Sequence, residues 1–166
     1  MTGVGDGLSR DLLINAFQER LDIRFKNLSL LEISLTHRSC ANEKENGEPP
    51  IHNERLEFLG DAVLGQAVAS ILYENMLSRP EGDLSRIKSI VVSEAVLAGL
   101  AEEIGIPALL RLGKGEELSG GRKKRAILAD ALEAMIGAVF IDSGHEGAKA
   151  FVRRIMEGPI LRALSG

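Results

Sequence analysis

With 166 residues, 45% of them hydrophobic, the chain is long enough to bury one sizeable core and requires no second domain. Its net charge of −4 lacks the positive excess on which phosphate affinity mainly rests, and its single cysteine, Cys40, excludes an internal disulfide and a cysteine-based metal site. The first residues lack the basic and apolar regions of a signal peptide, and no apolar run reads as long and uninterrupted enough to span a bilayer, so a soluble, cytoplasmic protein is expected.

Residues 1–8 are glycine-rich and are expected to be disordered; Ser9 then caps a helix through Leu12, Leu13, Ala16, Phe17 and Leu21. Ser29 with Glu32 has the spacing of a capping box, which predicts a short second helix ending near Thr36, His37, Arg38 and Ser39. A lone histidine in such a place is most often a structural hydrogen-bonder, and His37 is read so. Residues 41–50 form a polar loop whose tandem Pro49 and Pro50 forbid helix until about His52.

The next helix is predicted to run to about Leu77, two-sided at its start and apolar nearly all round from Ala62 to Leu72. Arg79, Pro80, Glu81 and Gly82 break it, and Asp83 is expected to cap a helix carrying Ile87, Ile90 and Val91. Ser93 caps another, through Val96, Leu97, Leu100 and Ile104, which Gly105 ends. Residues 113–125 are glycine-rich and then basic, with Arg122, Lys123, Lys124 and Arg125 leading into an apolar helix over 127–140. That basic run is either a solvated face or a source of phosphate-binding cations. A last helix, roughly Glu146 to Leu164, follows Asp142, Ser143 and Gly144. No strand pattern emerges, so the expected fold class is all-α.

Two of these helices carry acids in apolar surroundings. Glu54, Glu57 and Asp61 fall within an arc of roughly 60° on one helix, and Asp130 and Glu133 share a face of the other. Carboxylates that converge in a low-dielectric place must protonate, find basic partners or bind a cation. Acids at i, i+3 on two buried helices are the usual way a helical core builds an oxygen-ligand site for a hard divalent ion.

The run Asn53, Glu54, Arg55, Leu56, Glu57, Phe58, Leu59, Gly60, Asp61 resembles the signature of the ribonuclease III family. Three further segments fall in the order that family sets: 35–39 (Leu-Thr-His-Arg-Ser), 80–85 (Pro-Glu-Gly-Asp-Leu-Ser) and 129–134 (Ala-Asp-Ala-Leu-Glu-Ala). The resemblance implies a single helical endonuclease domain over residues 9–166, assembled as a two-fold homodimer. A double-stranded-RNA-binding module, usual after that domain, is not expected within these 166 residues.

By the same resemblance, Glu57, Asp61, Asp130 and Glu133 are the metal cluster, with Asp61 and Glu133 the acids most directly required for catalysis. Glu54 and Glu81 match accessory acids. Mg²⁺ is the implied cofactor, with Mn²⁺ able to substitute. The implied reaction is hydrolysis of double-stranded RNA, in processing of ribosomal RNA precursors and other RNAs, leaving 5′-phosphate and 3′-hydroxyl ends. Phe58 is either the dimer contact or a residue of its own subunit's core. Two rival functions fit the acids without the signature: an all-α, Mg²⁺-dependent nucleotide pyrophosphohydrolase, and a non-catalytic RNA-binding domain.

Overall fold

The structure is a computed structural model and describes residues 3–44 and 46–166. Among them are eight α-helices and no strand: α1 (Gly3–Leu21), α2 (Leu28–Ser34), α3 (Glu54–Asn75), α4 (Glu81–Val91), α5 (Glu94–Ile104), α6 (Ile106–Leu109), α7 (Lys114–Leu118) and α8 (Arg125–Ser165). The all-α expectation holds. The extended chain contributes only one isolated bridge, Thr36 beside Arg111.

Helix α8 is the axis of the domain. From Ile127 to Val139 almost every side chain is buried, the pattern of a helix surrounded by others, and α2, α3, α4, α5 and α6 all pack on it. At Gly144 the backbone turns to φ 77°, which breaks the helical path and redirects its second half. Just before the break, Asp142 accepts from Lys26 N at 2.8 Å and Asn27 N at 2.9 Å, tying the approach to α2 onto the end of the first half.

Helix α3, although apolar nearly all round from Ala62 to Leu72, is buried on one side only. Leu56, Val63, Leu64, Ala67, Val68, Ile71 and Leu72 are buried against α8, whereas Phe58, Ala62, Gln66, Ala69 and Tyr73 form an exposed stripe along the other side. The expectation that no segment is long and apolar enough for a bilayer is also corrected. This 22-residue helix passes that test by length and composition, because its charged residues lie toward its two ends. Its apolar face is instead used against α8.

Several boundaries differ from those expected. Helix α1 starts at Gly3, so Ser9 does not cap it and the helix occupies residues expected to be disordered; Met1 and Thr2 lie outside the described residues. Once a helix is nucleated, each further residue gains a backbone bond, and burial of Ile14, Phe17 and Gln18 supplies the nucleus. That face, and not the exposed Leu12 and Leu13, is the one that packs inward. The cap of α2 is Asn27, whose side chain accepts from Ser29 N, because Glu32 is turned away to a paired contact with Arg10 at 2.8 Å. Helix α4 begins at Glu81 directly after Pro80, which places Asp83 inside the first turn and not at the cap. The caps of α5 are as expected, with Ser93 accepting from Val96 N and Gly105 in the left-handed region at φ 91°.

Candidate active site

The two acid-bearing helices meet where each has a glycine. A Cβ at Gly60 would overlap the carbonyl oxygen of Glu133 and stand 3.0 Å from Gly137 N. A Cβ at Gly137 would overlap the carbonyl oxygen of Leu56 and stand 3.1 Å from Gly60 N. The backbones therefore touch, which only a residue without a side chain permits. Glu57 and Asp61 flank Gly60 on α3, and Glu133 lies one turn before Gly137 on α8, so this crossing brings the acid faces together.

The electrostatics record the convergence. Burial, reinforced by Asp61, Asp130 and Glu57, pushes the Glu133 carboxyl up to about 7. Burial, then Asp130, Glu54 and Asp61, also raises Glu57. Asp130 is raised by burial and then by Glu94. Glu57, Asp130 and Glu133 are half-buried, while Glu54 and Asp61 are exposed, so the acids lie at the rim of the core and not deep within it.

The donor set consists of carboxylate oxygens from two helices, which suits a hard divalent cation. Among the described residues, no three acidic, histidine or cysteine side chains stand close enough to enclose an ion. The set fits such an ion by its chemistry and its placement on the two helices.

Around the acids lie residues that helical periodicity did not single out. Glu94 opens α5 and adds its charge to Asp130. Arg38 places Nη1 3.3 Å from Glu54 Oε1 and opposes the upward shifts of Glu57 and Asp130. Glu116, on α7, pairs with Lys124 Nζ at 2.6 Å and feels His37 and Arg38. The order of the elements that carry these residues gives no sign that they converge, because the contacts link distant parts of the chain.

The other expected site residues separate into groups. Glu54 is brought to the cluster. Glu81 is not placed in it: it is exposed at the start of α4 and accepts from Ser85 Oγ. Arg122 holds Glu117 through two nitrogens and donates to the carbonyls of Pro107 at 2.5 Å and Leu110 at 2.9 Å. Both Arg122 and Lys124 are thus engaged within the protein, whereas Lys123 and Arg125 are exposed. His37 has the structural role expected of it, capping a 3-10 turn by accepting from Ser39 N at 3.1 Å. Phe58 is 84% exposed, which removes the reading that placed it in its own subunit's core.

The fold is a helical domain whose central helix crossing brings together acid-bearing faces of α3 and α8. Known proteins narrow the class. The profile described as Ribonuclease-III-like matches residues 27–158. The chain is 52% identical over 144 residues to Ribonuclease 3 of Treponema denticola, covering 87% of this chain and 58% of that protein. It is 51% identical over 142 residues to Ribonuclease 3 of Albidiferax ferrireducens, covering 86% and 59%. Among solved structures, a nuclease domain of ribonuclease III from Campylobacter jejuni superposes with a TM-score of 0.77 at 38% identity, covering 86% of this chain and 95% of that one. The chain belongs to the Ribonuclease-III-like family. It spans about three-fifths of the length of the curated relatives it matches.

Proposed function

We propose that residues 9–166 form the catalytic domain of a Mg²⁺-dependent endoribonuclease specific for double-stranded RNA, acting in the cytoplasm on ribosomal RNA precursors and other structured RNAs. The observation that carries this reading is the Gly60–Gly137 crossing, which juxtaposes Glu57 and Asp61 with Asp130 and Glu133 in a chain of this family. Mn²⁺ is expected to replace Mg²⁺.

In this reading Glu57, Asp61, Asp130 and Glu133 hold the cation. Bound there, Mg²⁺ supplies a water of lowered pKa and neutralises charge on the phosphoryl oxygens. The protein's own contribution is to concentrate four carboxylates at one helix crossing and to place Glu133 where burial and three neighbouring acids keep its proton affinity close to neutral pH. Asp61 and Glu133 are the indispensable pair, and Glu54 and Glu81 are accessory. Hydrolysis leaves 5′-phosphate and 3′-hydroxyl ends.

The exposed face of α3 supports a homodimer. Phe58 lies beside Glu57 in a stripe with Ala62, Ala69 and Tyr73, and a two-fold partner would bury that stripe while fixing the distance between two active sites. The Campylobacter jejuni nuclease domain is itself described as having a region involved in dimer formation. Lys123 and Arg125, exposed at the edge of α8, are suited to phosphate contact; with a net charge of −4, binding is expected to be weak and steeply salt-dependent.

Incubation with long double-stranded RNA, single-stranded RNA and nucleoside triphosphates, each with Mg²⁺ or with EDTA, tests the reading. Cleavage of the duplex alone, abolished by EDTA, is expected. Equal cutting of single strands, or activity that survives EDTA, would refute it, and turnover of triphosphates alone would favour a pyrophosphohydrolase.

A further inference from the structure

Arg38 has an unusual combination of a fixed base and a loosely held head. Its backbone opens the 3-10 turn Arg38–Asn42, and that turn is pinned on both sides. His37 N donates to Arg111 O at 2.9 Å and Asn53 N to Thr36 O at 2.9 Å. Gly113 N donates to Ser39 Oγ at 2.8 Å and Lys114 N to Glu43 Oε1 at 2.7 Å. The loop lies so close that a Cβ at Gly113 would overlap the carbonyl oxygen of Ser39.

The guanidinium itself is 70% exposed and meets Glu54 at 3.3 Å through one nitrogen, an arrangement that adds little to stability. It nonetheless stands at the edge of the acid cluster, facing carboxylates from α3, α7 and α8. Arg122 and Lys124, the nearby basic residues on the α7 side, are already paired with Glu117 and Glu116. A planar fork of donors on a rigid turn matches a phosphate better than it matches the single carboxylate oxygen it now touches.

We infer that Arg38 is a substrate-binding residue, whose guanidinium leaves Glu54 and donates to a non-bridging oxygen of an RNA phosphate beside the acid cluster. Glu54 then serves to hold the side chain in place between substrates. This deepens the proposed function and rests on it.

The test measures binding of a fluorescent RNA duplex in Mg²⁺ across a salt series, with Glu133→Gln as the parent chain so that the duplex is not cut. Adding Arg38→Gln should weaken binding about tenfold, the lower end for a hydrogen bond to a charged group. The slope of log affinity against log salt should become shallower by about one. Arg38→Lys should keep the slope while binding a few-fold more weakly, because charge is retained and the fork is lost. Arg153→Gln, whose partner Glu74 lies at the far end of α3, should change neither quantity.

Unchanged affinity and slope in Arg38→Gln, with the melting temperature also unchanged, would overturn the assignment and leave Arg38 a counter-charge to the acids. If Arg38→Gln instead lowered the melting temperature and Arg38→Lys restored it without restoring the slope, Arg38 would be structural. A parent chain that binds no duplex even at low salt would overturn the proposed function and this inference together.

Discussion

The carbonyl oxygen of Glu133 occupies the space that a Cβ on Gly60 would need, so the acid cluster depends on the absence of a methyl group one residue before Asp61. Gly60→Ala must push α3 and α8 apart where both are buried. Overpacking of this kind costs typically about 1–3 kcal/mol, or roughly 2–4 °C per kcal/mol in a domain of this size. The melting temperature is expected to fall accordingly, and cleavage by the protein that remains folded is expected to drop at least about tenfold, since misplacing catalytic groups by as little as 1 Å is costly. Unchanged activity in a Gly60→Ala protein would show that the crossing does not set the site.

Glu133 makes the stability of the chain in EDTA depend on pH in an unusual direction. Its folded-state carboxyl is pushed up to about 7 from an ordinary 4.5, so between those values the folded chain binds more protons than the unfolded one. Stability from this group is therefore present below about pH 4.5 and is lost as pH rises toward 7. A tenfold change in proton affinity corresponds to about 1.4 kcal/mol, and partial exposure reduces the total to about 1–2 kcal/mol. A thermal melt series in EDTA is expected to show this decline, and Glu133→Gln to flatten it. In the same variant, Mg²⁺-dependent cleavage is expected to vanish. A melting temperature lowered by Glu133→Gln at pH 7, with cleavage retained, would instead identify Glu133 as the partner of a buried cation.

Phe58 offers a clean separation of assembly from folding. Because its side chain is exposed in the single chain, Phe58→Ala removes no core contact. Sedimentation at micromolar concentration is expected to shift from dimer to monomer, while the unfolding midpoint of the monomer stays within about 0.5 kcal/mol, the range for ordinary surface changes. A monomeric parent protein would remove the dimer from the proposed function.

The basic run should divide between stability and binding. Arg122→Gln breaks a two-nitrogen contact with Glu117 and two bonds to backbone carbonyls, and is expected to cost about 1–3 kcal/mol. Lys123→Gln is expected to leave the melting temperature unchanged and to weaken duplex RNA binding alone. The converse pattern, stability lost with Lys123 and binding with Arg122, would reverse their assignments.

Much of this architecture was legible in the chain because it is local. The arc shared by Glu54, Glu57 and Asp61 is a property of helical geometry, as are the Ser93 cap and the Gly105 stop of α5. Elsewhere a distant partner decided the outcome. Asn27, not Ser29, caps α2 because Glu32 is drawn to Arg10, and Asn27 N is met by Asp142 from α8. The approach of Arg38 and Glu94 to the acids left no mark on periodicity, which reports the face of one helix and nothing about what another brings to it. Glu81 sits in the expected segment, yet its helix carries it to Ser85 and not into the cluster.

Asp142 accepts amide hydrogens from residues 115 and 116 positions earlier in the chain, and the acids of α3 likewise await partners on α8 about 70 residues further on. During synthesis, every segment up to Arg125 emerges before the helix that carries Asp130 and Glu133. The nascent chain therefore exposes only half of the acids of the proposed cluster until α8, the last quarter of the chain, docks. The proposed site is thus complete only once α8 has docked on α3.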